Sequence, residues 1–180
     1  MRSILMAAAA VLGLSACAMP GGGTTTTSAL VAADASTSLL AGERLTADFT
    51  THAAQEGMDP LVVLSLRHAD GRAMTFQQGN HTNDDLMAQQ PGGALAQIMG
   101  LFGEEAPVLY RATPAQNSGA PFICGAEGPA TLGYHEAADG AVHIVGLKQE
   151  IQFETRPDGQ MEAIPFSPDQ VCARLRFRRG

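Results

Sequence analysis

The residues able to carry chemistry in this 180-residue chain are three cysteines, five scattered histidines and a cluster of arginines near the C-terminus. The histidines are His52, His68, His81, His135 and His143. His135 and His143 flank an Asp139-Gly140 turn. If the loop is Ala138-Asp139-Gly140, the two imidazoles face each other across paired strands, where they could bind a metal or titrate near their ordinary pKa of about 6.5. A two-residue loop would instead set Glu136 against His143 and remove that geometry. A cross-strand histidine pair can equally be plain surface. His81 with Asp84 and Asp85 forms a second candidate metal cluster, at an expected helix start, although aspartates in a first turn also suit the helix dipole alone. The third group is Arg174, Arg176 and Arg178 in the segment RLRFRR. On an extended strand they form a line with spacings of about 7 Å, twice the rise per residue. Such a row could grip an anionic polymer or an acidic protein through charge-assisted hydrogen bonds. The alternative is edge protection, in which charges on a terminal strand discourage edge-to-edge pairing.

The rest of the chain bears on where such groups would work. Met1-Arg2-Ser3 is a short positive start, and Ile4 to Leu14 is an apolar stretch too short to span a bilayer but suited to the core of a signal peptide. Leu14-Ser15-Ala16-Cys17 follows directly. These residues resemble the lipobox of bacterial lipoprotein precursors, an aliphatic residue and two small residues ahead of a cysteine. The resemblance covers residues 1–17 and implies cleavage before Cys17, a diacylglycerol on its sulfur and, usually, an acylated amino group. Ala16-Cys17-Ala18 also reads as an ordinary secretory cleavage site. Each acyl methylene buried in the bilayer contributes about 0.8 kcal/mol, so several chains would hold a soluble domain durably. Ala18 stands where an aspartate often favours retention in the inner membrane, which points to the periplasmic face of an outer membrane.

Loss of Arg2 with the leader takes the 11 Lys and Arg residues to 10 against 18 Asp and Glu, a net charge of −8. An acidic body of this kind disfavours nucleic acid as a partner, because phosphate binding rests on clustered cations. Residues 17–42 read as a lipidated cysteine followed by a flexible tether, with three glycines, four threonines and then an Ala/Ser/Thr stretch that has room for a short helix around Leu30–Ala41. If all of it is flexible, its root-mean-square reach is roughly 25–30 Å. With Cys17 acylated, Cys124 and Cys172 remain as a pair, and in an oxidising compartment their default is a disulfide. It closes a loop of about 49 residues, for which the chain-entropy estimate is roughly 4 kcal/mol.

The elements that must position these groups follow from three Asp-Gly turns, at Asp70-Gly71, Asp139-Gly140 and Asp158-Gly159. In LVVLSLRHADGRAMTFQQ, a three-residue loop aligns Leu66 with Met74 and Leu64 with Phe76, which gathers one apolar face. LTADFTTH, with Leu45, Ala47 and Phe49 inward, PVLYRA at 107–112 and a terminal VCARLRF strand complete a largely antiparallel sheet of about seven to nine strands. In the last strand Val171, Ala173, Leu175 and Phe177 share one face and Cys172, Arg174 and Arg176 the other. A helical element is expected between Thr82 and Phe102, from a capping-box-like Thr82-Asn83-Asp84-Asp85 and a charge-free periodic run with Leu95, Ile98, Met99 and Phe102. The resulting expectation is an α+β fold in one domain over residues 43–180: a curved or partly closed antiparallel sheet with one helical element packed on it.

No G-x-S-x-G, S-x-x-K, H-E-x-x-H, P-loop or G-x-G-x-x-G motif occurs, and no cofactor is implied. The reading is therefore a non-catalytic, lipid-anchored envelope module that binds a protein or an anionic cell-wall component. This plan is similar in architecture to that of small envelope inhibitors of lysozyme, without their inhibitory motif. Two rivals remain, an envelope hydrolase built from His and Asp residues, and an assembly subunit that exposes Leu95–Phe102.

Overall fold

The structure is a computed structural model and describes residues 23–36, 38–54, 60–78, 107–155, 157–159, 161–163 and 167–180. Its strands are β1 (Thr24–Ala32), β2 (Arg44–His52), β3 (Leu61–His68), β4 (Ala73–Gln78), β5 (Val108–Ala112), β6 (Thr131–Glu136), β7 (Ala141–Leu147), β8 (Phe153–Thr155), β9 (Met161–Ala163) and β10 (Val171–Arg179). Eight of them close an antiparallel barrel in the order β1-β10-β7-β6-β5-β4-β3-β2, and β8–β9 is a separate hairpin inserted between β7 and β10.

The α+β expectation is therefore corrected. The sheet closes into a barrel, and the only regular elements among the described residues are strands and three single-turn 3₁₀ segments, at Pro114–Gln116, Gly125–Glu127 and Pro168–Gln170. The expected helical element, Thr82 to Phe102, lies outside the described residues. So do Cys17 and the leader. Closure depends on a strand that the composition concealed. Thr24–Ala32, read as tether and partly as a short helix, is β1 and pairs with β2 at eight positions. Its threonines alternate on no apolar face, but they are β-branched and their hydroxyls bond across the strands. Thr27 donates to Asp48 at 2.6 Å, and the Thr25 and Thr50 hydroxyls lie 3.0 Å apart. Only Ser28, Leu30 and Ala32 turn into the barrel and are buried.

The hairpins take the registers that alternation demands. Leu66 pairs with Met74 and Leu64 with Phe76 around a three-residue loop, and all four are buried. His135 pairs with His143, so the second loop is also Ala138-Asp139-Gly140. Gly71 and Gly140 close these loops at φ of 94° and 81°, a backbone region that costs glycine no Cβ clash. Inside the barrel Phe49 meets Tyr134 edge-on, with ring centroids 5.1 Å apart, and Tyr110 lies 6.3 Å from Phe49. Burial pushes the Tyr110 phenol up to about 12 and Tyr134 further, so both remain neutral in the interior.

Cys124 and Cys172 form a disulfide that ties the start of β10 to the loop between β5 and β6. β10 bulges at this point, with Val171 opposite Leu147 and Ala173 opposite Gly146. Gly146 sits under the bridge. A Cβ there would come within 2.5 Å of the Cys124 sulfur and 3.3 Å of the Cys172 sulfur.

Candidate functional site: the cationic face of the last strand

β10 alternates cleanly between the barrel interior and its outer surface. Ala173, Leu175 and Phe177 are buried in the core, whereas Arg174, Arg176 and Arg178 are exposed on the outside. The strand is flanked on both sides, by β7 and by β1, so the side chains of Arg176 and Arg178 rise from the face of a paired strand rather than guarding a terminal edge. Register adds a fourth cation that sequence reading missed. Arg44 on β2 pairs with Val31, and Val31 pairs with Arg178. Arg44 thus shares the outer face with Arg178, two strand spacings or about 10 Å away. Its only advance signal was its place just before the inward Leu45.

What distinguishes this face is that its cations form no ion pair among the described residues. Arg67 is paired with Asp48 at 2.6 Å, Arg72 with Asp70 at 2.7 Å, Arg111 with Glu150 at 3.0 Å and Arg179 with Glu136 at 3.0 Å. Among the described residues, no carboxylate pairs with Arg44, Arg174, Arg176 or Arg178. In a chain with seven more acids than bases, that separation of cations from acids is unusual. Beside the row is a cleft of about 140 Å³, lined by Asp34 and Ala35 on one side and by His143, Ile144, Val145, Arg174, Leu175 and Arg176 on the other.

His143 stands opposite Arg176 on the neighbouring strand, and its ring centroid is 6.4 Å from that of His135. Burial lowers the pKa of His143, the Arg176 guanidinium and His135 lower it further, and Asp139 opposes them. The two residues do stand opposite each other, as a three-residue loop requires, with their rings tilted by 46°. A guanidinium alongside makes the place poor for a metal cation, and no group of three metal-ligating side chains forms among the described residues. His81, Asp84 and Asp85 lie outside the described residues, as does the Leu95–Phe102 segment.

A second polar cluster was not foreseen. At the end of the first hairpin His68 Nδ1 lies 3.0 Å from Asp70 and Nε2 lies 3.4 Å from Glu43, while Arg72 stands 5.4 Å over the Phe122 ring. The Arg72 backbone N–H donates to Asp70, and this bond, aided by His68 and the Arg72 side chain, holds the Asp70 carboxyl down to about 2. Its members bond chiefly to one another and to the hairpin backbone, so the cluster fastens a turn. His-x-Asp-x-Arg spacing around an Asp-Gly turn was the available signal.

No helix among the described residues is long and apolar enough to cross a membrane. Compared with models of known families, with curated proteins and with solved structures, the chain matches none.

Proposed function

We propose that this protein is a lipid-anchored envelope lipoprotein whose barrel is a non-catalytic binding module. Residues 1–16 are the leader, Cys17 carries the lipid, and the Arg174–Arg176–Arg178 face, extended by Arg44, holds an acidic envelope protein or an anionic cell-wall component. The observation that carries the binding role is a cationic row that no carboxylate among the described residues pairs with, in an otherwise acid-rich chain. The lipobox resemblance carries the anchor. Because β1 begins at Thr24, the seven residue steps from Cys17 span at most about 25 Å, so the barrel would be held close against the bilayer.

Crosslinking followed by pull-down from intact envelopes tests both halves. Changing Arg174, Arg176 and Arg178 together to Ala is expected to remove the captured partner while leaving the protein in the membrane fraction. Cys17→Ser is expected to abolish acyl labelling and membrane retention. An unchanged set of partners in the triple variant would refute the binding face, and acyl labelling that survives Cys17→Ser would refute the anchor.

A further inference from the structure

The barrel is closed unevenly. β1 pairs with β2 at eight positions and β10 with β7 at seven, but β1 and β10 meet at only three, Leu30–Ala32 against Phe177–Arg179. The Ala33 N–H donates to the Arg176 carbonyl at 2.8 Å. The chain then bends away at Ala33–Asp34, and a Ser36–Leu39 turn seats Leu39 in the core. The Gly180 N–H also points to the β1 side, where it donates to Ala29, whereas the Arg179 N–H points to the β7 side and donates to Gly140. Backbone groups alternate sides along a strand, so the Arg174 N–H and C=O face the β1 side as well. No described strand lies opposite them. The 140 Å³ cleft opens at this place.

We infer that this seam is a docking slot for an extended acidic polypeptide segment, which adds as a strand beside the open half of β10, ahead of the Ala33–Arg176 bond, and sets carboxylates against Arg174 and within reach of the Arg176 side chain. The inference rests on the cationic face described above and names the chemistry of its partner. Backbone pairing supplies affinity that does not depend on sequence, and alternate side chains supply selectivity. Here the outward side chains of an added strand lie alongside the arginine row, so acids at every second position meet the guanidiniums. The Cys124–Cys172 bridge anchors the start of β10, one wall of the slot, which limits the ordering cost on that side. Asp34 lines the same cleft and opposes an acidic occupant. A protective role for Arg174 at the open edge would predict the opposite behaviour, namely that no strand is accepted there.

The test uses the full-length protein and a fluorescent synthetic peptide of alternating Glu and Val, with two versions N-methylated at alternate residues in either register. Fluorescence anisotropy is expected to show binding by the parent peptide and a loss of at least tenfold for one of the two methylated versions. The Arg174→Ala, Arg176→Ala double variant should weaken binding at least tenfold, and Asp34→Asn should tighten it several-fold. Amide exchange at Arg174 should slow when the peptide is bound. If both methylated peptides bind as well as the parent, the arginine face attracts charge without strand addition, and the inference fails while the binding role stands. If the parent peptide does not bind, the inference also fails, and the envelope pull-down decides the binding role by itself.

Discussion

Three guanidiniums about 7 Å apart on one strand repel each other, by roughly 0.6 kcal/mol per adjacent pair in a water-like dielectric. No carboxylate among the described residues is ion-paired with the row, although Asp34 lines the adjoining cleft, so the row reads as a surface kept for a partner. Asp70 shows the contrasting, structural use of charge. Its folded carboxyl lies at about 2 against an ordinary 3.8. A depressed carboxylate contributes stability that is present above pH 3.8 and is lost as pH falls through about 2. Thermal unfolding followed across that window should therefore show a steeper loss of stability in the parent than in Asp70→Asn, which has no such group to protonate. Parallel curves would mean that the bonds from Arg72 and His68 do not favour the ionised form.

At the scale of elements, the hairpins could be read in advance because each strand presents one apolar face and an Asp-Gly turn sets the phase, as with Leu64 and Leu66 against Phe76 and Met74. The β10 arginines were legible for the same reason. β1 was not, because Thr24 to Thr27 show the same residue on both faces and are held by hydroxyl bonds that no hydropathy pattern records. Arg44 was hidden for a related reason, since only the registers of β2 with β1 and of β1 with β10 bring it beside Arg178. The disulfide region makes its own demand. In Gly146→Ala the new methyl meets the Cys124 sulfur, and overpacking of this kind typically costs about 1–3 kcal/mol. Chemical denaturation should show that cost in the oxidised protein. It should also show strong non-additivity with Cys124→Ala, which removes the atom that clashes. Simple additivity of the two substitutions would contradict the close approach of β7 to the bridge.

As a whole molecule, the closed barrel removes most of the free edges that an open sheet would present; among the described residues the β1–β10 seam leaves the first half of β10 and the first half of β1 uncovered. The net charge of −7 keeps the remainder of the surface unattractive to anions and concentrates any such attraction on one side. A partner held by this face therefore touches one side of the barrel and not the other. Ala141 pairs with Arg178 on the cationic side, and Gln77 is exposed on β4, four strands around the ring from β10. A photoreactive side chain placed at either position leaves every arginine intact. Irradiation of intact envelopes should yield a discrete crosslinked species from position 141 and none from position 77. The same species from both positions, or none from position 141, would contradict the binding face.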